Sequence, residues 1–213
     1  MSAQVAMLEQ SPIDLKEIDA QLVELSEGEI TLHLGQAEAE IIHMGHNFQV
    51  NWKNESENYL VLHGKVYHTV QFHFHTPSEH TVDGKAEEME LHLVHQAEDG
   101  SLAVVGLFIK EGKENQFLAQ FWDELAKIDA TERNQADLGL ISSMNLEPLA
   151  GRFFRYRGSL TTPPYSEGVE WIVVREAAEA SREQVDAYIN FLTGPNAREV
   201  QPLNDRKVCI CNH

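Results

Sequence analysis

Basic residues are scarce in this chain. Lys and Arg number 16 against 34 Asp and Glu, a formal net charge of −18 over 213 residues. A phosphate backbone needs a basic face, so nucleic acid is not expected as a partner, and an anionic membrane surface is disfavoured for the same reason. The acidic balance describes a self-repelling, well-solvated surface. Long hydrophobic runs are missing as well. No stretch of about 18 or more apolar residues occurs, so no membrane span is expected. The opening segment "MSAQVAMLEQSPIDL" has neither a basic n-region nor an apolar h-region, so no signal peptide is read there. The chain as written suits the cytoplasm, and a mature or trimmed form would suit the periplasm. Cysteine is nearly absent. Cys209 and Cys211, the only two, stand in "VCICNH", where a disulfide across one intervening residue would be strained. They read as free thiols in a loose tail from about residue 207, and with His213 they make a weak metal pattern.

Repeats, low-complexity segments and Pro/Gly/Ser linkers are also lacking, so residues 1–213 read as a single domain. What remains is short alternating segments broken by turns. "EITLHLG" (Glu29 to Gly35), "AEIIHMGHNFQVNW" (Ala39 to Trp52), "YLVLHGKVYHTVQFHFHT" (Tyr59 to Thr76), "MELHLVHQ" (Met89 to Gln96), "LAVVGLFIK" (Leu102 to Lys110) and "VEWIVVRE" (Val169 to Glu176) read as strands. His63-Gly64 and Asp99-Gly100 suit tight hairpin turns. Two segments read as helices. "ENQFLAQFWDELAKI" lines up Phe117, Leu118, Phe121, Trp122, Leu125 and Ile128 on one face. "SREQVDAYINFL" opens on a capping box, Ser181 with Gln184, and is expected to bury Val185, Tyr188, Ile189 and Leu192. The expected class is α+β, mainly β: a large twisted, mostly antiparallel central sheet with a few peripheral helices.

Histidine, at 11 residues, is the conspicuous polar type. In "QFHFHTPSEHTVDGKAEEMELHLVHQ", His73 and His75 share one strand face with Gln71, because side chains alternate with period two. Phe72 and Phe74 take the other face. On the next strand Glu90, His92 and Val94 share a face. Antiparallel pairing of the two strands would bring His92 beside His73 and His75. Three neutral imidazoles converging on one point, with no thiolate nearby, suit zinc in an open tetrahedral site whose fourth position takes water. Ligating imidazoles need their far nitrogens held, and Gln71 and Glu90 are placed to do so. A cupin-type site is the competing reading, since His73-x-His75-x-x-x-Glu79 has that spacing with Glu79 as a fourth ligand. The second cupin motif is missing around and after His92.

A second constellation is "RGSLTTPPYSEGVEW", Arg157 to Trp171. Pro163 and Pro164 fix a rigid turn after Thr161 and Thr162. A threonine hydroxyl both donates and accepts one hydrogen bond. Beside a metal-bound hydroxide it would accept that proton while donating to a carboxylate, aiming the oxygen lone pair at an electrophile.

Taken together, "QSPIDL", "GHNFQV", "QFHFHTPSEHTVDGK", "ELHLVH", "LAVVGLF", "GSLTTPP", "SEGVEWIV" and "VQPLNDR" resemble the ordered signature blocks of the alpha-class carbonic anhydrases, covering most of the chain from Gln10 to Arg206. The resemblance implies a zinc lyase that reversibly hydrates carbon dioxide to bicarbonate and a proton, with zinc-bound hydroxide as nucleophile. His73, His75 and His92 match the zinc ligands. Thr161 matches the residue that orients the hydroxide, and Glu79 the carboxylate that takes its hydrogen bond, so Glu79 is catalytic and not a ligand. His46 matches the proton shuttle. Gln71, Glu90 and the backbone of Asn196 match the groups that hold the ligands. Val94, Val104, Leu160 and Trp171 match the apolar wall for carbon dioxide, and Thr162 its polar side. His80 resembles a structural histidine. Sulfonamide or anion inhibitors are expected. A homo-oligomer is compatible with the sequence, which carries no signal fixing its state.

The chain also departs from the family pattern. The longer N-terminal segment with Trp and Tyr that usually covers one rim is short or missing. Tyr165 replaces the cysteine often found after "TTPP", so the common family disulfide cannot form. Thr76 and Gln96 stand where tryptophans are frequent, and Arg198-Glu199 lacks the usual proline. None of these changes removes a ligand.

Overall fold

The computed structural model describes residues 7–25, 29–53, 57–128, 134–146 and 151–212. In chain order its strands and helices are β1 (Asp14–Leu15), β2 (Gln21–Glu24), β3 (Ile30–His33), β4 (Gln36–His43), β5 (Phe48–Trp52), β6 (Tyr59–Leu62), β7 (Lys65–His75), β8 (Thr81–Val82), β9 (Met89–Gln96), β10 (Leu102–Glu111), α1 (Gln116–Ala119), β11 (Gln135–Ser142), β12 (Arg152–Ser159), β13 (Glu167–Ala180), α2 (Arg182–Phe191) and β14 (Cys209–Asn212). Among the described residues, a 12-stranded sheet runs in the order β11-β4-β5-β7-β9-β10-β13-β12-β14-β2, with β6 on β7 and β3 on β6. The expected antiparallel pairing dominates, but β10 with β13 and β14 with β2 are parallel, which makes the sheet mixed. Strands β1 and β8 form a separate parallel pair.

The sheet centre carries the site: β9 and most of β10 are buried on both faces, and β7 buries its phenylalanine face while its histidine face opens toward the cavity. One face packs Phe48, Phe72, Phe74, Leu91 and Leu93 against Trp122, Val185 and Tyr188. The other packs Val94, Val104, Phe108, Tyr156 and Trp171. Each large apolar side chain fully buried in this way contributes about 1.5–3 kcal/mol. The His63-Gly64 turn joins β6 to β7 with φ of 50° and 78°, the left-handed pair that a tight hairpin requires. "AEIIHMGHNFQVNW" is two strands: Met44 N donates to Asn47 O, closing a turn between β4 and β5.

Three expectations are corrected. The segment after Asn115 is not one helix. The Asn115 side chain caps α1, which ends at Ala119, and a 3-10 turn follows at Trp122–Glu124. Phe121 has φ −142° and ψ −3°, outside the helical region. Consecutive rings on a straight helix would diverge by about 100°, whereas here Phe121 and Trp122 are both buried in the same core. On α2, Ile189 is 42% exposed, while Val185 and Tyr188 are buried and Leu192 half-buried. The tail expected to be loose from about 207 forms β14, paired to β12 and β2, with Cys211 fully buried. His213 lies outside the described residues. No helix among the described residues is long and apolar enough to cross a membrane.

Candidate metal centre and active site

Strand pairing assembles the histidines. His73 lies directly opposite His92 in the β7–β9 ladder, and His75 opposite Glu90. The register shifts between Thr69 and Gln71, so Val70 is an extra residue that re-aims the strand just before the site. The ring centroids of His73, His75 and His92 stand 5.0, 5.3 and 4.7 Å apart. One nitrogen from each falls within 4.8 Å of the others, close enough to share one ion.

The far nitrogens identify which atoms face the centre. His73 Nδ1 is 2.9 Å from Gln71 Oε1, His75 Nδ1 3.2 Å from Asn196 O, and His92 Nε2 3.0 Å from Glu90 Oε1. Each imidazole donates to its oxygen partner, which leaves the lone pairs of His73 Nε2, His75 Nε2 and His92 Nδ1 for an ion. His75 Nε2 is buried with no hydrogen-bond partner. A buried nitrogen without a partner is costly unless something fills its lone pair. Three neutral nitrogens with no thiolate suit a zinc-type ion.

Electrostatics follow the same division. Burial, with His75 and His92 nearby, pushes the His73 pKa well below its usual value, and burial lowers that of His75. Burial also disfavours charge on His92, but the Glu90 and Glu79 carboxylates outweigh it and raise its pKa. Burial alone would raise the Glu90 carboxyl. His80 and His92 beside it win, and hold it well below the usual carboxylate range. A second group, His80, Glu90 and His92, is also compact. Its carboxylate is already spent: Glu90 Oε1 accepts from His80 Nδ1 and His92 Nε2, and Oε2 from the backbone N–H groups of Glu79 and His80. His80 Nε2 meets the Tyr156 hydroxyl at 2.6 Å, so His80 braces Glu90.

Glu79 is 2% exposed. Its Oε1 accepts from Arg198 N at 2.8 Å. Its Oε2 lies 3.9 Å from His92 Nδ1 and has no hydrogen-bond partner. Thr161 is buried, but no hydrogen bond joins it to Glu79, in contrast to the link that the resemblance implies. The carboxylate is instead drawn to the Arg198 amide on one side and toward the imidazoles on the other. A cavity of about 240 Å³ brings Thr161, Thr162, Val94, Val104, Leu160 and Trp171 together with His73, His92 and Gln71. Val70, Gln96 and Leu102 complete its lining and were not anticipated. His46 does not line it. It is exposed in the turn before β5, next to buried Asn47. A larger cavity of about 1290 Å³ between α2 and the Trp122 segment holds none of these residues, so size does not identify the site.

Two further contributors escape sequence reasoning. Arg198 holds Glu79 through its backbone N–H, a contact that no side-chain motif reports. Gly106 faces Glu90, and the one available signal was a glycine inside a strand, which often marks a close approach.

Comparison with known proteins agrees with this geometry. The family model for eukaryotic-type carbonic anhydrase matches residues 2–212. A carbonic anhydrase of Nostoc sp. is 42% identical over 200 residues, covering 93% of this chain and 74% of that protein. The alpha-carbonic anhydrase of Thermovibrio ammonificans, solved with the inhibitor sulfanilamide, superposes with TM-score 0.84 at 39% identity, covering 94% of this chain and 86% of that one. Dioscorin complexed with ascorbate superposes with TM-score 0.90 at 29% identity, covering 96% and 86%. The chain belongs to the eukaryotic-type, or alpha-class, carbonic anhydrase family, the carbonate dehydratases.

Proposed function

We propose that the chain is a zinc-dependent enzyme hydrating carbon dioxide to bicarbonate and a proton, with His73, His75 and His92 holding the metal. The observation that carries this reading is the tied far nitrogen on all three imidazoles, with His75 Nε2 left buried and unpartnered. Zinc, when bound, supplies the Lewis acidity that lets a water lose its proton near pH 7, about the value known for carbonic anhydrase itself.

The chain's own residues do the rest. Gln71, Asn196 and Glu90 fix the ring orientations of the three ligands. Carbon dioxide carries no charge and needs an apolar shelf, which Val94, Val104, Leu160 and Trp171 supply in the cavity. Thr162 gives that cavity a polar side. The Thr161 hydroxyl, which lines the cavity with His73 and His92, would orient the attacking oxygen once it turns to donate to Glu79, a bond it does not make in this structure. The buried, unpartnered Oε2 of Glu79 is an acceptor that supports this role. His46, exposed to solvent in the turn before β5, carries the proton outward through its imidazole.

Metal analysis combined with a carbon dioxide hydration assay tests the reading. About one zinc per chain is expected, with activity that a sulfonamide abolishes, in keeping with the sulfanilamide-bound neighbour. His92→Ala should lose zinc and activity together. Full zinc retention in that variant would remove the ligand set. Zinc in the native chain without sulfonamide-sensitive hydration would make the protein a binding relative and not an enzyme.

A further inference from the structure

The carbonyl of Phe74 sits in the backbone between His73 and His75. On that side the β5–β7 ladder ends where Gln49 pairs with His73, so main-chain pairing with β5 stops short of it. Three side chains take the carbonyl instead. Asn47 Nδ2 donates to it at 2.8 Å, Asn196 Nδ2 lies at 3.1 Å, and the Tyr188 hydroxyl also reaches it. The Tyr188 hydroxyl links the other two: it lies 2.8 Å from Asn47 Oδ1 and accepts from Asn196 Nδ2 at 2.9 Å. A phenol has one proton, so Tyr188 donates to Asn47 or to Phe74 at any moment and accepts from Asn196 throughout.

Asn196 then closes the circuit onto the metal centre. Its Oδ1 accepts from Thr76 N at 2.8 Å, and its backbone oxygen receives His75 Nδ1 at 3.2 Å. The members come from distant parts of the chain: Asn47 from the turn before β5, Tyr188 from α2, and Asn196 from the segment after α2. Asn47 and Tyr188 are buried, with exposures of 7% and 0%. Burial makes their mutual hydrogen bonds obligatory.

We infer that Asn47 and Tyr188 are positioning residues for the metal centre: with Asn196 they clamp the Phe74 carbonyl and so fix the backbone that aims His73 and His75. Neither residue touches the ion. They act through the peptide between the two ligands and through the oxygen that holds His75. Asn47 also follows His46, so the clamp anchors the turn that presents it. The inference rests on the proposed zinc site.

Tyr188→Phe removes only the hydroxyl and keeps the ring against Phe48, Phe74 and Trp122. Its zinc dissociation constant, read by chelator competition, should rise about tenfold, the lower end for loss of an outer partner of a metal ligand. The visible spectrum of the cobalt-substituted protein should change with it, because those bands report ligand geometry. Asn47→Ala should move both readouts in the same direction, and decides the matter if Tyr188→Phe fails to fold. Val185→Ala, on the same helix and in the same core but outside the clamp, should lower Tm and leave both readouts as in the native chain. Native zinc affinity and cobalt spectrum in both clamp variants would overturn the inference, as would an equal loss of affinity in Val185→Ala. Failure of the native chain to bind zinc would instead overturn the proposed function.

Discussion

Gly106 pairs with His92 across the β9–β10 ladder, and a Cβ built on Gly106 would stand 2.8 Å from Glu90 Oε1. Glu90 reaches across this gap to hold both His80 and His92. Its carboxylate has little freedom to retreat, since four hydrogen bonds fix it and the site is fully buried. The glycine is therefore part of the candidate metal centre by virtue of what it lacks.

Gly106→Ala should displace Glu90 and release the far nitrogen of His92. Outer-shell losses of this kind cost about 10–100-fold in metal affinity, and overpacking costs about 1–3 kcal/mol in stability. Chelator competition and denaturant unfolding on the same samples would measure both. An alanine variant with native zinc affinity would show that the carboxylate can shift without consequence.

The replacement His46→Ala separates proton release from hydration. The proton leaves after the product, so the variant should lose kcat in weak buffer while kcat/KM stays near the native value. A loss of roughly 10- to 100-fold is expected, at or below the low end for a positioned acid-base group. Added imidazole should restore much of it. Unchanged turnover in weak buffer would take His46 out of the pathway and leave the cavity residues unaffected.

The parts of the fold that could be read from sequence are those where one local period sets the geometry. His73 and His75 alternate with Phe72 and Phe74, and the structure sends the pairs to opposite faces. "MELHLVHQ" is β9 from end to end. Strand β11 was missed because its pairing with β4 shifts register between Asp137 and Gly139, which breaks the alternation that reveals a strand. Strand β14 was missed because it is a strand only through distant partners, β12 and β2. The same limit applies at the site. The link from His73 to Gln71 spans two residues and was legible, whereas Glu79 is held by the amide of Arg198, 119 residues away. Family likeness supplied Asn196 and Thr161, which no periodicity marks. It also implied a Thr161–Glu79 hydrogen bond that the structure lacks.

His95, on the opposite face of β9 from His92, gives a pH dependence independent of the metal. It is fully buried, and neither ring nitrogen makes a well-formed hydrogen bond, only weak contacts with the backbone of Leu93 and Ala103. Burial lowers its pKa from 6.5 to about 4, with the backbone of Leu93 and Ala103 offsetting part of the effect. Between those values the unfolded chain binds a proton that the folded chain refuses. The folded state is therefore favoured above pH 6.5, and the advantage fades as pH falls toward 4. From pH 7 to pH 5 the loss amounts to about 2 kcal/mol. Other carboxylates and histidines titrate over the same range, so the native chain must be compared with His95→Phe, which removes the proton site and keeps a ring in the core. Denaturant unfolding at both pH values should show the native chain losing about 2 kcal/mol more than the variant. Parallel losses in the two proteins would mean that His95 is protonated as readily in the folded chain as in the unfolded one.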